Sequence, residues 1–382
     1  MQGKIPVSRR RFLKAAGLAA GGSLISSLPA GASGNVPGAN EFIRLAWIGV
    51  GGRGKTLLRH ALNSVSESTL TVTSICDIDP KARDEAIKMC GGMKPAGVEE
   101  YRQILEQKDI DAVIIATPIH LHAEHAVAVL KAGKHCYCEK PLGCTPEDVK
   151  AVYDAVKQSG KKFQVGFQWR YHPGFKAFVD VVQGGGIGEV NFVTGARHIG
   201  GYPDSGWYID RNLSGDLIVE QAVHEMNVCC WMLKAHPLRA SGFGGTNELK
   251  GVPPGRSIMD HYAVTYEFPG EITLQYSHCI YTPAGMGGLH LTVYGSQARG
   301  ASLRDTTRLT VTKEGKPSTT EIPLTRDQDA TQAAIQSFAA CIREDREPLS
   351  NVDAGRHATL MAILGRTAIH ERRVVEWKEV AI

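Results

Sequence analysis

Short, continuously apolar stretches recur through the first half of the chain: Phe42 to Val50, Leu70 to Cys76, Ala112 to Ala116, Lys134 to Cys138 and Lys162 to Gly166. Stretches of that length without polar alternation suit parallel strands covered on both faces. Helical spacing fills the gaps over Lys55 to Ser64, over His122 to Lys131 and from Thr145 to about Gly160. Thr145-Pro146-Glu147-Asp148 opens the last helix with a threonine N-cap, a proline in the first turn and early acids. Strand and helix in alternation predict an α/β domain on a parallel sheet over residues 41–168. From Phe175 the pattern changes. A helix to Val182 and a hinge at Gly184-Gly185-Gly186 lead into Glu189 to His198, Met259 to Phe268, Ile272 to Tyr281 and Leu289 to Gly295. Apolar and polar residues alternate there as in half-exposed antiparallel strands. Further helices are predicted from about Asp216 to Leu233, from Asp329 to Arg343 and from Val352 to His370, with a last strand from Val374 to Trp377. This is an α+β domain over residues 169–350 with a large open, mainly antiparallel sheet, whose spare face predicts a homo-oligomer.

Two turns of the first domain carry candidate chemistry. The first apolar stretch runs into Gly49-Val50-Gly51-Gly52-Arg53-Gly54 and then a helix, the context that a dinucleotide-binding fingerprint requires. Gly49, Gly51, Gly52 and Gly54 let backbone approach a pyrophosphate whose charge meets the helix N-terminus, so the domain is expected to be a Rossmann fold. Asp77 ends the second stretch, 23 residues beyond Gly54, where a carboxylate accepts from both ribose hydroxyls and repels a 2′-phosphate. NAD is therefore expected. Asp77-Ile78-Asp79-Pro80 also reads as a plain turn, and Arg53 suits either adenine stacking or a phosphate, which keeps NADP open. The second turn ends the run from Asp111 to Pro141, where Glu139, Lys140 and Pro141 follow a buried strand at the sheet edge that binds ligands. Lysines are mostly solvated surface charges. Lys140, fixed between a strand and a proline, is aimed at that edge instead.

Thr117-Pro118-Ile119-His120-Leu121-His122 and Cys138-Glu139-Lys140-Pro141 resemble the Gfo/Idh/MocA family, named for glucose-fructose oxidoreductase, inositol dehydrogenase and a rhizopine-catabolism protein. The resemblance covers the chain after residue 41. It implies that Lys140 helps move a proton as a sugar hydroxyl is oxidised by NAD(P), and that Thr117, Pro118, His120, His122 and Glu139 lie along the cofactor. Ile119 stands where the family has asparagine, which removes one polar contact. Phe167-Gln168-Trp169-Arg170-Tyr171-His172-Pro173 resembles the junction between domains. Arg170 there suits a cofactor or substrate contact, or an interface ion pair. Glu220 and His224 are four apart in the helix predicted from Asp216, so they share a face, and a carboxylate one turn from an imidazole can orient the ring as a proton relay. The family has aspartate and histidine at that spacing. Gln221 and Asn227 lie near the same face as candidate sugar contacts, and Trp207 and Tyr208 offer flat apolar surface for a sugar ring or serve as core. The family's closing segment implies that residues 351–382 return to the first domain.

Charge and targeting narrow the partner. The first 32 residues hold five cations and no acid, and Ser8-Arg9-Arg10-Arg11-Phe12-Leu13-Lys14 looks like a twin-arginine export signal with Ala30-Gly31-Ala32 as its cleavage site. Periplasmic or exported localisation is expected, without stable membrane insertion after processing. Removing those cations turns the formal +4 of the whole chain into −1, so no nucleic-acid footprint is expected. Nine cysteines lack paired spacing and read as small core residues, and no residue set has metal-ligand spacing. The expectation is an exported NAD(P)-dependent oxidoreductase acting on a sugar, polyol or glycoside, with a tightly bound cofactor because no free NAD pool lies outside the cytoplasm. Two alternatives stand beside it. One is a redox-neutral glycoside hydrolase or lyase that works through a transient keto-sugar, and the other a non-catalytic sugar or nucleotide binder.

Overall fold

The five apolar stretches become strands of one six-stranded sheet in a computed structural model that describes residues 42–64, 70–297, 299–303, 307–313, 316–322 and 329–381. Residues 1–32, read as an export signal, lie outside the described residues. The strands are β1 (Ile43–Ile48), β2 (Leu70–Cys76), β3 (Ala96–Val98), β4 (Ala112–Ile115), β5 (His135–Cys138) and β6 (Phe163–Val165), all parallel in the order β3-β2-β1-β4-β5-β6. Chain order reverses between β1 and β4. That reversal opens a crevice outside their carboxyl ends, where open α/β sheets bind ligands.

The second sheet has nine strands: β7 (Val190–His198), β8 (Arg239–Gly245), β9 (His261–Phe268), β10 (Ile272–Cys279), β11 (Gly288–Gly295), β12 (Arg299–Leu303), β13 (Thr307–Lys313), β14 (Lys316–Ile322) and β15 (Val375–Glu376). Their order is β14-β13-β12-β11-β7-β10-β9-β8-β15, antiparallel except where β7 and β10 run parallel at the centre. Its glycine-rich or polar strands β8 and β12 to β14 escaped the period-two pattern, because cross-strand pairing rather than their own composition holds them.

Two features depart from the sequence reading. The helix Ala330–Arg343 buries Ile335, Phe338, Ala339 and Ile342 against Leu45, Trp47, Ile114 and Tyr137, so the chain returns to the first sheet well before residue 351. The helix predicted from Asp216 to Leu233 is broken into Asp216–Glu220 and Val223–Leu233. An unbroken helix would bond the His224 amide to the Glu220 carbonyl. Here that amide goes to the Gln221 carbonyl at 3.3 Å, and the Glu220 carbonyl accepts from Lys140 Nζ at 2.6 Å. Tertiary contact has claimed a helical acceptor, and the helix opens there. All nine cysteines are free thiols, eight of them buried and Cys279 half-buried, which fits their reading as core residues.

Candidate active site

The crevice at the β1/β4 switch is a cleft of about 790 Å³. Its floor is the glycine turn. Gly49 has φ of +89°, and a Cβ there would meet Ala116 backbone at 2.8 Å, so only glycine fits between β1 and β4. At Gly51 and Gly52 a Cβ would meet nothing within 4 Å, because both border open cleft at the start of helix Gly52–Asn63. Asp77 closes the end of β2, with Oδ2 accepting from Val50 N at 2.7 Å and Oδ1 from Asp79 N at 2.9 Å. One carboxylate thus shapes the glycine turn and faces the cleft. Ile78 beside it is 82 % exposed, an apolar shelf that the sequence reading passed over. Open glycines at a helix N-terminus, an acid at the end of β2 and an apolar shelf beside it fit a dinucleotide.

Thr117, Pro118, His120, His122 and Glu139 all line this cleft. His120 keeps a buried Nδ1 with no partner. His122 is 1 % exposed and is pinned between the carbonyls of Pro141 (2.7 Å) and Thr117 (2.9 Å), so it braces the Lys140 elbow from beneath. Burial holds its pKa below the ordinary histidine range. His125, which the sequence reading did not single out, also lines the cleft; its Nδ1 lies 3.2 Å from Thr117 Oγ1, and burial lowers its pKa to about 4. Arg53 also lines the cleft. Its Nε donates to Glu139 Oε1 at 2.8 Å, and the Glu139 carboxylate lies where a Cβ of Gly166 would be, so glycine turn and elbow are clamped together.

At the far end of the cleft the two halves of the chain meet. Lys140 Nζ donates to Glu220 Oε1 at 2.9 Å as well as to its carbonyl, and the two side chains are 14 % and 11 % exposed. Glu220 Oε2 accepts from Tyr202 OH at 3.3 Å. Glu220 therefore positions Lys140, and the expectation that it orients His224 is corrected, because its carboxylate oxygens go to Lys140 and Tyr202 and the His224 Nδ1 has no partner among the described residues. His224 is not among the residues that border the cleft; aromatic packing holds it, its ring 4.8 Å from that of Trp169 and 6.0 Å from that of Phe167. Its Nδ1 is buried and unpartnered. Burial, then the charges of Lys140, Arg197 and Arg53, push its pKa well below the usual value, so the ring is a neutral base at ordinary pH. Trp207 and Tyr208 border the same cleft and stack on each other with centroids 3.8 Å apart, and Tyr202 abuts Tyr208 edge-on at 6.0 Å. Tyr202 had no assignable role from sequence.

Three candidates lie elsewhere. Arg170 Nε donates to Asn227 Oδ1 at 2.9 Å, and its Nη1 donates to the Leu349 carbonyl at 3.2 Å. Both residues are buried, at 8 % and 1 % exposure, with the guanidinium over the Trp231 ring. Arg170 is therefore no cofactor contact and Asn227 no sugar contact: they rivet the seam between helices, where desolvation brings the Arg170 pKa down to about 10. Gln221 sits at the helix break with a buried, unpartnered Oε1 and does not border the cleft.

Residues 43–167 match the model of the GFO/IDH/MocA oxidoreductase family with its NAD-binding Rossmann fold, and residues 175–300 match the GFO/IDH/MocA C-terminal domain. An inositol 2-dehydrogenase of Salmonella paratyphi B is 32 % identical over 187 residues, which cover 49 % of this chain and 53 % of that protein. A glycosyl hydrolase family 109 protein of Shewanella pealeana is 32 % identical over 205 residues, covering 48 % of this chain and 44 % of its own length. The chain spans about half the length of these curated relatives. A levoglucosan dehydrogenase solved with NADH and levoglucosan superposes with a TM-score of 0.78 at 19 % identity, over 88 % of this chain and 99 % of that one. At that identity the likeness is one of fold.

Proposed function

Because the chain belongs to the GFO/IDH/MocA oxidoreductase family, we propose that it oxidises a ring hydroxyl of a sugar, polyol or glycoside with NAD. The observation that carries this reading is the Lys140–Glu220 pair at 2.9 Å, bordering the same cleft as the open glycines of the dinucleotide turn. Gly49, Gly51, Gly52 and Asp77 would hold the dinucleotide, whose nicotinamide would supply the acceptor for the hydride leaving the carbinol carbon. The remaining work falls to side chains. Lys140, steadied by both a carboxylate and a carbonyl of Glu220, keeps a donor for the substrate oxygen and stabilises negative charge that develops there. His224, neutral because of burial and the adjacent cations, takes the hydroxyl proton. Trp207 and Tyr208 hold the sugar ring. Asp77 favours NAD by repelling a 2′-phosphate.

The twin-arginine motif at Ser8 to Lys14 supports export with the cofactor already bound, and the open second sheet supports a homo-oligomer. Likeness to a glycosyl hydrolase family 109 protein supports a second reading, in which oxidation is transient and the cofactor is restored within one turnover. Absorbance at 340 nm, with purified protein, NAD and a panel of inositols, aldoses, anhydrosugars and aryl glycosides, separates the readings. NADH accumulating with a free sugar or polyol supports net dehydrogenation, and glycoside cleavage without NADH accumulation supports the redox-neutral cycle. Cofactor binding without turnover of any compound leaves a non-catalytic binder, and no NAD binding overturns the proposal.

A further inference from the structure

A second cavity, of about 430 Å³ and lined in part by Tyr202, falls within the range of about 300–1,000 Å³ typical of small-molecule sites. An antiparallel bridge between Gly200 and Tyr281, together with a bond from Thr282 N to the Ile199 carbonyl at 3.0 Å, builds its floor. A Cβ at Gly200 would meet the Thr282 carbonyl at 2.8 Å, so this close approach requires glycine. Tyr202 and Tyr281 supply aromatic walls, and Arg256 and the exposed Asp204 supply the polar ones.

Arg256 is the informative group. Its Nε and Nη2, the side-on edge of the guanidinium, are buried and have no hydrogen-bond partner among the described residues. The acids nearby are committed to others. Asp260 accepts from His261 Nδ1 (2.6 Å), Glu248 N (2.9 Å) and Leu249 N (2.8 Å). Asp216 accepts from Leu217 N (2.7 Å), Met259 N (2.9 Å) and His370 Nε2 (2.8 Å). Buried donors left without acceptors are costly, and a small concave site that keeps such donors is organised around acceptors brought by something else. An anion would also meet Asp204 and lie beside two further carboxylates. A polyhydroxylated ring suits the set better: hydroxyls accept from Arg256 and donate to Asp204, while its apolar face rests on tyrosine.

Tyr202 lines this cavity and touches two residues that border the main cleft. Its hydroxyl binds Glu220, the partner of Lys140, and its ring meets Tyr208 edge-on. We propose that the cavity is a second subsite, which takes a neutral glycosyl unit joined to the ring held at Lys140. The substrate class is then a glycoside or oligosaccharide rather than a free monosaccharide. This inference rests on the carbohydrate reading above.

Isothermal titration of the NADH-loaded protein with α- and β-linked disaccharides of glucose, galactose and mannose, each beside its monosaccharide, tests it. At least one disaccharide should bind tenfold or more tighter than its monosaccharide. Arg256→Ala and Tyr281→Ala should each remove most of that gain and leave NADH affinity and monosaccharide affinity unchanged. Tyr281 is 40 % exposed, so its truncation leaves the fold intact even where Arg256→Ala does not. The subsite is overturned when no disaccharide outbinds its monosaccharide, or when the gain survives in both variants. A glucuronosyl disaccharide preferred over the neutral ones overturns the assignment to a neutral unit. Turnover of monosaccharides without any such gain removes the subsite and leaves the dehydrogenase reading standing, whereas failure to bind NADH removes that reading itself.

Discussion

Two polar bridges tie down the helical segment after Asp216, one from the first domain and one from within the second, and they differ in what can reach them. Lys140–Glu220 borders the open cleft, with side chains 14 % and 11 % exposed and Trp207 and Tyr208 lining the same space. Arg170–Asn227 crosses in the closed seam, where the guanidinium is further committed to the Leu349 carbonyl and the Trp231 ring. Each places a cation from earlier in the chain against an oxygen on the helical segment after Asp216. One cation keeps a donor turned to a space that a ligand can enter, and the other spends its donors inside the protein. Access, more than charge or pairing, separates a group that acts on substrate from one that holds the scaffold.

The sharpest way to break this comparison is to remove each cation in turn. Lys140→Met should lower kcat about 10³-fold, in line with losing an electrostatic and proton-handling group, while NADH titration shows the cofactor still bound. A variant that turns over within tenfold of the parent would remove Lys140 from the chemistry. Arg170→Met should do the opposite. Leaving Asn227 Oδ1 and the Leu349 carbonyl buried and unpaired costs about 2–4 kcal/mol, visible as an earlier midpoint in urea denaturation, with kcat per folded molecule close to the parent. If urea stability is unchanged and the KM for sugar rises instead, Arg170 belongs to the substrate site after all.

What sequence could reveal followed the same division. The glycine turn, Asp77 and the elbow at Lys140 are local: backbone freedom, a strand end and a following proline set their geometry within a few residues, so the first sheet and its ligand edge were legible. Glu220 and His224 were placed in the right region with the wrong relation. Helical spacing assumes that every carbonyl serves its own helix, and the Glu220 carbonyl serves Lys140, 80 residues away. Tyr202 and the Arg170–Asn227 pair were illegible for a related reason, since their roles are set by which distant segment packs over them. An isolated tyrosine in a loop carries no periodic signal. The break itself left a weak trace, because Gly215-Asp216 and Gln221-Ala222 flank a segment too short for a stable helix of its own.

Glu220→Gln sharpens the first bridge at smaller amplitude. The amide keeps the volume and can still accept from Lys140, but the negative charge that fixes the ammonium is gone. A fall of about 10- to 100-fold in kcat with little change in KM is the expected outcome, because a displaced donor harms the transition state more than ground-state binding. If Glu220 instead oriented His224, the same variant would shift the acid limb of the pH profile. Stopped-flow measurement across pH therefore distinguishes positioning of the lysine from tuning of the histidine.

The smallest effect concerns His224 itself. An ordinary histidine, with pKa about 6.5, is half protonated at that pH and would lose about half its capacity as a base. Burial, reinforced by Lys140, Arg197 and Arg53, lowers the folded-state pKa of His224, so it stays neutral there and protonates only at lower pH. The acid limb of kcat/KM for sugar oxidation should accordingly lie below about pH 6.5, with less than a twofold loss between pH 7.5 and 6.5. Stability runs in the same sense. His125 and His135, each lowered by burial to about 4, leave the unfolded chain binding more protons between about pH 6.5 and 4, so the thermal midpoint should drop across that window as pH falls. Activity at pH 6.5 is the discriminating measurement, since the protein is still folded there. A half-loss at that pH, absent in a His224→Asn variant assayed at its own reduced rate, would mean that the ring titrates as an ordinary exposed histidine and that the aromatic packing of Trp169 and Phe167 does not shield it.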